Sequence, residues 1–235
     1  MDLKSKTAIV TGASKGLGKA IAEALVKKEV EVYGLARSEE ELKKIQQKLG
    51  SRFHPVTMDL TNEQKVRDWV KSTFEGNKAV DILINNAGVG YFRSIDELSS
   101  EKWHQMMNIN LNAVFYLTQE VVPLMKSNGS FKHIVNIGSI VGKTTGSEKS
   151  GYSSTKFAIQ GFSEALFKEL RGFKIKVSCI NPGSIETDFF EDSGIEPNPS
   201  MLQPADVAAT IVHVLETPDN VLIDELTLRP LIPKR

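Results

Sequence analysis

Cysteine and histidine are scarce in this 235-residue chain: there is one cysteine, Cys179, and four histidines, His54, His104, His133 and His213. A lone thiol cannot build a disulfide framework, and histidines so far apart show none of the short His/Cys/carboxylate spacings of metal sites. No protein-built metal site is expected. Cys179 sits in the apolar run Val177-Ser178-Cys179-Ile180 and reads as a buried, inert thiol. Neither sign of charge is in excess, because 29 Lys plus Arg face 29 Asp plus Glu for a formal net charge of zero. That balance removes the global basic field that would draw nucleic acid or an anionic membrane. No stretch reaches the ~20 apolar residues of a bilayer span. The start, Met1-Asp2-Leu3-Lys4-Ser5-Lys6, has no signal-peptide core. A cytoplasmic protein with neither a nucleic-acid nor a membrane partner is the expectation.

Composition is globular, with 40% hydrophobic and 25% charged residues. Short β-branched runs alternate with longer amphipathic stretches throughout, the pattern of βαβ units. The runs predict strands at Thr7 to Val10, Val30 to Ala36, Phe53 to Met58, Val80 to Ile84, His133 to Ile137, Ile175 to Ile180 and Leu222 to Leu228. Between them the periodicity predicts helices from the first glycines to about Lys28, Glu39 to Leu49, Asn62 to Phe74, Ser99 to Met125, Tyr152 to Arg171 and Ala205 to Leu215. This is an α/β chain: a single-domain Rossmann fold over residues 1–235, a doubly wound seven-stranded parallel sheet with helices on both faces. The segment 186–204, rich in Gly, Pro, Ser and acids, reads as a short substrate lid.

In such a sheet the first strand-to-helix turn binds the ligand's phosphates. Here it reads Thr11-Gly12-Ala13-Ser14-Lys15-Gly16-Leu17-Gly18, glycines at the mouth of a helix whose free N–H groups attract a pyrophosphate. Gly12 permits the tight turn, while Gly16 and Gly18 admit a phosphate and let helix meet strand. Gly142-Lys143-Thr144 imitates the end of a nucleotide-triphosphate loop. That loop needs a glycine at position 137, which is Ile137, so ATP and GTP are rejected. At the end of the second strand, where a carboxylate would bind the NAD ribose, the chain has Ala36, then Arg37 and Ser38. A guanidinium there, with Lys15 in the glycine turn, suits the 2′-phosphate of NADP better than NAD.

Farther on stand Ser139, in Asn136-Ile137-Gly138-Ser139-Ile140, and Tyr152-Ser153-Ser154-Thr155-Lys156. Tyr152 and Lys156 are i and i+4, so on a helix they share a face, and the ammonium is expected to favour the phenolate and lower the tyrosine pKa. A tyrosine so tuned can act as acid and base near neutrality.

Together these residues resemble the short-chain dehydrogenase/reductase family, and the resemblance spans essentially the whole chain. It is carried by the glycine turn, Asp59-Leu60, Asn85-Asn86-Ala87-Gly88, Asn110, Ser139, Tyr152, Lys156, and Asn181-Pro182-Gly183 with Thr187. The resemblance implies that Asp59 bonds the adenine amino group and that Leu60 flanks the ring. It places the Asn86-Ala87-Gly88 backbone against the adenosine-side ribose and Pro182, Gly183, Ile185 and Thr187 around the nicotinamide. Asn85 reads instead as a structural tie of the fourth strand. The implied catalytic set is Asn110, Ser139, Tyr152 and Lys156. Tyr152 would donate the proton as hydride passes to a carbonyl carbon, and Ser139 would polarise the oxygen. Lys156 would hold the nicotinamide ribose, and Asn110 would bind a water linking Lys156 to solvent.

The resemblance implies an NADP-dependent oxidoreductase acting on a carbonyl or secondary alcohol. Tyr91, Phe92, Ile140, Val141, Phe189 and Phe190 are candidates to line an apolar substrate cleft. A 3-oxoacyl-[acyl-carrier-protein] reductase is the alternative; Val89-Gly90-Tyr91-Phe92-Arg93 and the ending Glu225-Leu226-Thr227-Leu228-Arg229-Pro230 both depart from its pattern. A non-catalytic NADP-binding regulator would not need the full catalytic set. A sugar-nucleotide epimerase would carry a different glycine spacing and a larger C-terminal domain. A homodimer or homotetramer through the two long helices is implied, although Phe115, Leu117, Phe157 and Phe162 could equally face the sheet.

Overall fold

A computed structural model describes residues 1–76, 79–127, 129–189, 198 and 200–232. The elements run β1 (Thr7–Thr11), α1 (Gly16–Lys27), β2 (Glu31–Ala36), α2 (Glu39–Leu49), β3 (Phe53–Thr57), α3 (Glu63–Thr73), β4 (Ile82–Asn85), α4 (Ser100–Met107) and α5 (Ala113–Lys126). They continue with β5 (Lys132–Ile137), α6 (Ser150–Leu170), β6 (Ile175–Pro182), α7 (Pro204–Glu216) and β7 (Glu225–Leu228). The strands form one parallel sheet in the order β3-β2-β1-β4-β5-β6-β7. The structure therefore has the expected Rossmann architecture.

Strand periodicity explains why helices are needed on both faces. Along β1, Ala8 and Val10 enter one core with Ile21 of α1, Leu42 of α2 and Ile211 of α7. Ile9, between them, enters the other core with Val70 of α3, Leu117 of α5 and Leu166 of α6. A strand apolar on both sides must be covered on both sides. Order reverses between β1 and β4, and Thr11 stitches the two together there. Its Oγ1 accepts the N–H groups of Asn86 and Ala87, each at 2.9 Å, and its carbonyl accepts Asn86 Nδ2 at 2.9 Å. That reversal opens the crevice at the carboxyl ends of the strands.

Two elements differ most from expectation, while β4, β6 and α6 shift by one or two residues at their ends. The long helix breaks into α4 and α5 around a π turn at Asn108–Asn112, where Ala113 N–H donates to Asn108 O. Asparagine side chains compete for local hydrogen bonds, and Asn112 Nδ2 donates to Asn108 Oδ1 at 2.9 Å. The last strand begins at Glu225 rather than Leu222, because β6 side chains claim the preceding carbonyls. Lys176 Nζ donates to Val221 O at 2.6 Å and Ser178 Oγ to Ile223 O at 2.5 Å.

Candidate functional site

The crevice is a cleft of about 760 Å³ running from the glycine turn to Tyr152. At its phosphate end Gly12 and Gly16 have φ of +66° and +53°, a region that side-chain-bearing residues seldom adopt. A Cβ on Gly12 would stand 2.9 Å from Asn86 Nδ2, and one on Gly18 would stand 2.2 Å from Gly12 O. Gly18 is thus required by helix-to-strand packing. A Cβ on Gly16 would stand 3.1 Å from Thr187 Cγ2, so the segment after β6 lies directly on the turn. Backbone cradled this closely fits a dinucleotide pyrophosphate at the start of α1. Ser14, Lys15, Leu17, Asn86, Ala87, Gly88, Pro182, Gly183, Ile185 and Thr187 also line the cleft.

The adenosine side holds Arg37, Asp59 and Leu60 on its wall. The Asp59 carboxyl is held below its usual range, chiefly by the Thr61 backbone N–H and hydroxyl, with a smaller pull from Arg37. Lys15 Nζ lies 3.5 Å from Asp188, and both side chains are more than half exposed, so this pair is weak and solvent-screened. Sequence reasoning counted two cations here, and the structure adds a carboxylate near each. Ser38 is not on the cleft wall; its Oγ accepts Glu41 N–H at 3.4 Å at the start of α2.

At the chemical end α6 carries Tyr152 and Lys156, and the loop after β5 carries Ser139. Tyr152 is 7% and Lys156 5% exposed. Burial pushes the phenol well above its ordinary range, and a hydrogen bond with Ser139 pulls weakly the other way. This reverses the expected sign. Lys156 Nζ donates to Ile137 O at 2.8 Å and lies 5.7 Å from the centre of the tyrosine ring. Burial also holds the lysine down, to about 8. The resulting pair is a neutral phenol beside an ammonium that gives up its proton easily.

Asn110 is 1% exposed, and the cleft wall does not include it. Its Oδ1 accepts Val89 N–H at 2.8 Å, and its Nδ2 donates to Val89 O at 2.8 Å and Thr155 Oγ1 at 3.0 Å. It braces the loop after β4 against α6 from within the π turn. Asn85 ties β4 inward as expected, donating to Asn136 Oδ1 at 2.8 Å and Thr118 Oγ1 at 3.2 Å. Cys179 is 2% exposed, and burial raises its thiol to about 11. Among the described residues no group of three His, Cys, Asp or Glu is placed to hold a metal ion.

The candidate substrate side is aromatic. The Phe92 ring packs on Tyr152 at 5.3 Å and the Phe189 ring at 5.7 Å, and Tyr91, Ile140 and Val141 complete the wall. Phe190, and positions 190–197 and 199 of the expected lid, lie outside the described residues. Ile185 pairs with Leu202 across the two ends of that segment. Sequence reasoning missed one link altogether. Ser139 N–H donates to Asn181 Oδ1 at 3.1 Å, and Asn181 Nδ2 donates to Glu225 Oε1 at 2.9 Å. Lys143 and Gln160 also hold that carboxylate. The one available signal was Asn181 beside Pro182-Gly183, and nothing in the sequence tied it to β7.

Comparison with known proteins agrees with this geometry. Residues 6–197 match the short chain dehydrogenase family. An uncharacterized oxidoreductase of Staphylococcus saprophyticus is 32% identical, covering 98% of this chain and 100% of that one. Dehydrogenase/reductase SDR family member 11 of Homo sapiens is 33% identical, covering 97% and 95%. A serine dehydrogenase solved with NADP+ superposes with a TM-score of 0.91 at 28% identity, covering 97% and 96%. An alcohol dehydrogenase from Thermococcus sibiricus solved with 5-hydroxy-NADP gives 0.89 at 28%, covering 99% of each chain. With a family match over most of its length and a cleft of this construction, the chain belongs to the short-chain dehydrogenase family of oxidoreductases.

Proposed function

We propose that the protein is an NADP(H)-dependent reductase of carbonyl compounds, reversible toward secondary alcohols, with Asn110, Ser139, Tyr152 and Lys156 as its catalytic set. The observation that carries this reading is the buried Tyr152 phenol, which shares with Ser139 and Lys156 the wall of the same cleft as the glycine turn. When bound, the nicotinamide supplies or accepts hydride. Tyr152, kept neutral by burial, donates its proton to the substrate oxygen, and Ser139 fixes the direction of that oxygen. Lys156 spends one of three N–H donors on Ile137 O, leaving two for ribose hydroxyls. Asn110 holds Val89 and Thr155 so that the wall and α6 keep their spacing. Arg37 and Lys15 favour a 2′-phosphate, and the NADP forms bound by two similar structures support that preference. A 3-ketoacyl-(acyl-carrier-protein) reductase of Brucella melitensis, with a TM-score of 0.88 at 25% identity, was solved with NADH, so the choice has to be measured. Half-exposed Phe115 and Phe157, on α5 and α6, support assembly into a homodimer or homotetramer through these helices.

The test is NADPH and NADH oxidation against diketones, aromatic aldehydes, 3-oxo esters and a 3-oxoacyl thioester. NADPH-selective reduction of small carbonyls is expected. Exclusive use of the thioester would favour the acyl reductase, preference for NADH would overturn the reading of Lys15 and Arg37, and tight NADPH binding with no turnover would favour the regulator.

A further inference from the structure

The cleft holds one cation that carbonyl reduction does not use. Lys149 lines it beside Tyr152 and is half-buried. It immediately precedes α6, three residues before Tyr152, so both stand at the amino end of that helix and line the same cleft. Among the described residues no ion pair reaches its ammonium, and the adjacent Glu148 is exposed. The first turn of α6 contains no acid, and no side chain caps the helix, so its positive end adds to the same field. Among the described residues the acids that line the cleft are Asp59, near Arg37, and Asp188, beside Lys15. A second cation, Lys102, lies 4.8 Å over the ring of Tyr91 on the same wall. The rings of Phe92 and Phe189 flank Tyr152.

A cleft that holds a proton donor flanked by aromatic rings, and an ammonium with no ion pair among the described residues, selects a molecule with a carbonyl at one point and a negative charge a short chain away. We infer that the substrate is an oxo acid, its carboxylate paired with Lys149 while its carbonyl oxygen meets Tyr152. The inference rests on the reductase reading. In the reaction the carbonyl carbon takes hydride from the reduced nicotinamide, the oxygen takes the Tyr152 proton, and the carboxylate is unchanged. The product is a hydroxy acid.

The experiment compares 2-oxobutanoate, 3-oxobutanoate and 4-oxopentanoate with their methyl esters. Two quantities are read for each pair: kcat/KM with NADPH, and the dissociation constant from the NADP+-loaded enzyme by calorimetry. For at least one chain length the acid is expected to bind and react about tenfold or more better than its ester, the effect of one charge-assisted hydrogen bond. The preference should shrink with salt, fall toward unity in Lys149→Met and return in Lys149→Arg. Equal binding of acid and ester, binding of neither, or a preference that survives Lys149→Met overturns the proposal. Acid-selective binding without any reduction would keep the anion site and overturn the reductase reading instead. Reduction without acid preference would do the opposite.

Discussion

The two ends of the sheet bury similar groups and use them differently. At the amino end Lys132 is wholly buried, and its Nζ donates to Asp81 Oδ1 at 2.6 Å, while Asp81 Oδ2 accepts Thr7 N–H at 2.9 Å. Lys176 Nζ is taken up by Pro218 O and Val221 O, each at 2.6 Å. His133 is held neutral by burial, down to about 3, with Nε2 2.8 Å from Ser178 Oγ. At the carboxyl end Lys156 is nearly as deeply buried, but its one bond goes to a neutral carbonyl, Ile137 O, and both it and Tyr152 line a cleft. Lys132 meets a carboxylate inside the sheet and locks strands together, while among the described residues His133 keeps one ring nitrogen, Nδ1, without a partner. Among the same residues Lys156 has no carboxylate bonded to it, and it faces open space. The difference lies in what answers each buried group and in whether a cleft reaches it, since burial is common to both.

The largest test of this contrast is Tyr152→Phe. Reductase turnover should drop about 10² to 10⁴-fold, the usual contribution of a positioned acid, while NADPH binding and the melting temperature hold. A melting temperature that fell with activity would erase the distinction. Asp81→Ala should give the mirror image: about 3–5 kcal/mol of stability lost in chemical denaturation, because Lys132 keeps a buried charge without its partner. The kcat of the protein that remains folded should be unchanged, and a loss of kcat without loss of stability would refute the assignment.

A smaller effect follows from pH. Lys156 is an ammonium below about 8 and neutral above it. Reduction should be flat through neutrality and fall by up to about tenfold per pH unit beyond that point. Alcohol oxidation, which needs the phenolate, should instead rise with pH. A reduction profile flat to pH 10 would contradict the role given to Lys156. The smallest effect is at Glu225. Glu225→Ala should lower kcat about fivefold, the value of one ordinary hydrogen bond passed through Asn181 to Ser139, with KM for NADPH unchanged. Glu225→Gln, which keeps an acceptor oxygen, should recover most of it.

Much of the fold was legible because burial on two faces imposes period two on strands such as Ala8-Ile9-Val10, and α2 has the expected bounds, Glu39–Leu49. The π turn was not, since one extra residue per turn barely disturbs helical periodicity, and only Asn108, Asn110 and Asn112 hinted at it. Within the site, Tyr152, Lys156 and Ser139 do converge, but the direction of the tyrosine's shift was misjudged. Spacing at i and i+4 reveals a neighbouring charge and says nothing of desolvation. The Asn181–Glu225 link spans 44 positions and two strands, a relation that no local pattern encodes.

That link ties the orientation of Ser139 to an edge strand. Among the described residues β7 pairs with β6 alone, through four residues, so it belongs to the parts of a sheet that open first under mild denaturant. The glycine turn, anchored between β1 and β4, belongs to the interior. Fraying of β7 would therefore slacken Ser139 while the glycine turn remains intact, so that under the proposed function turnover and cofactor affinity would report on separate cooperative units of one molecule.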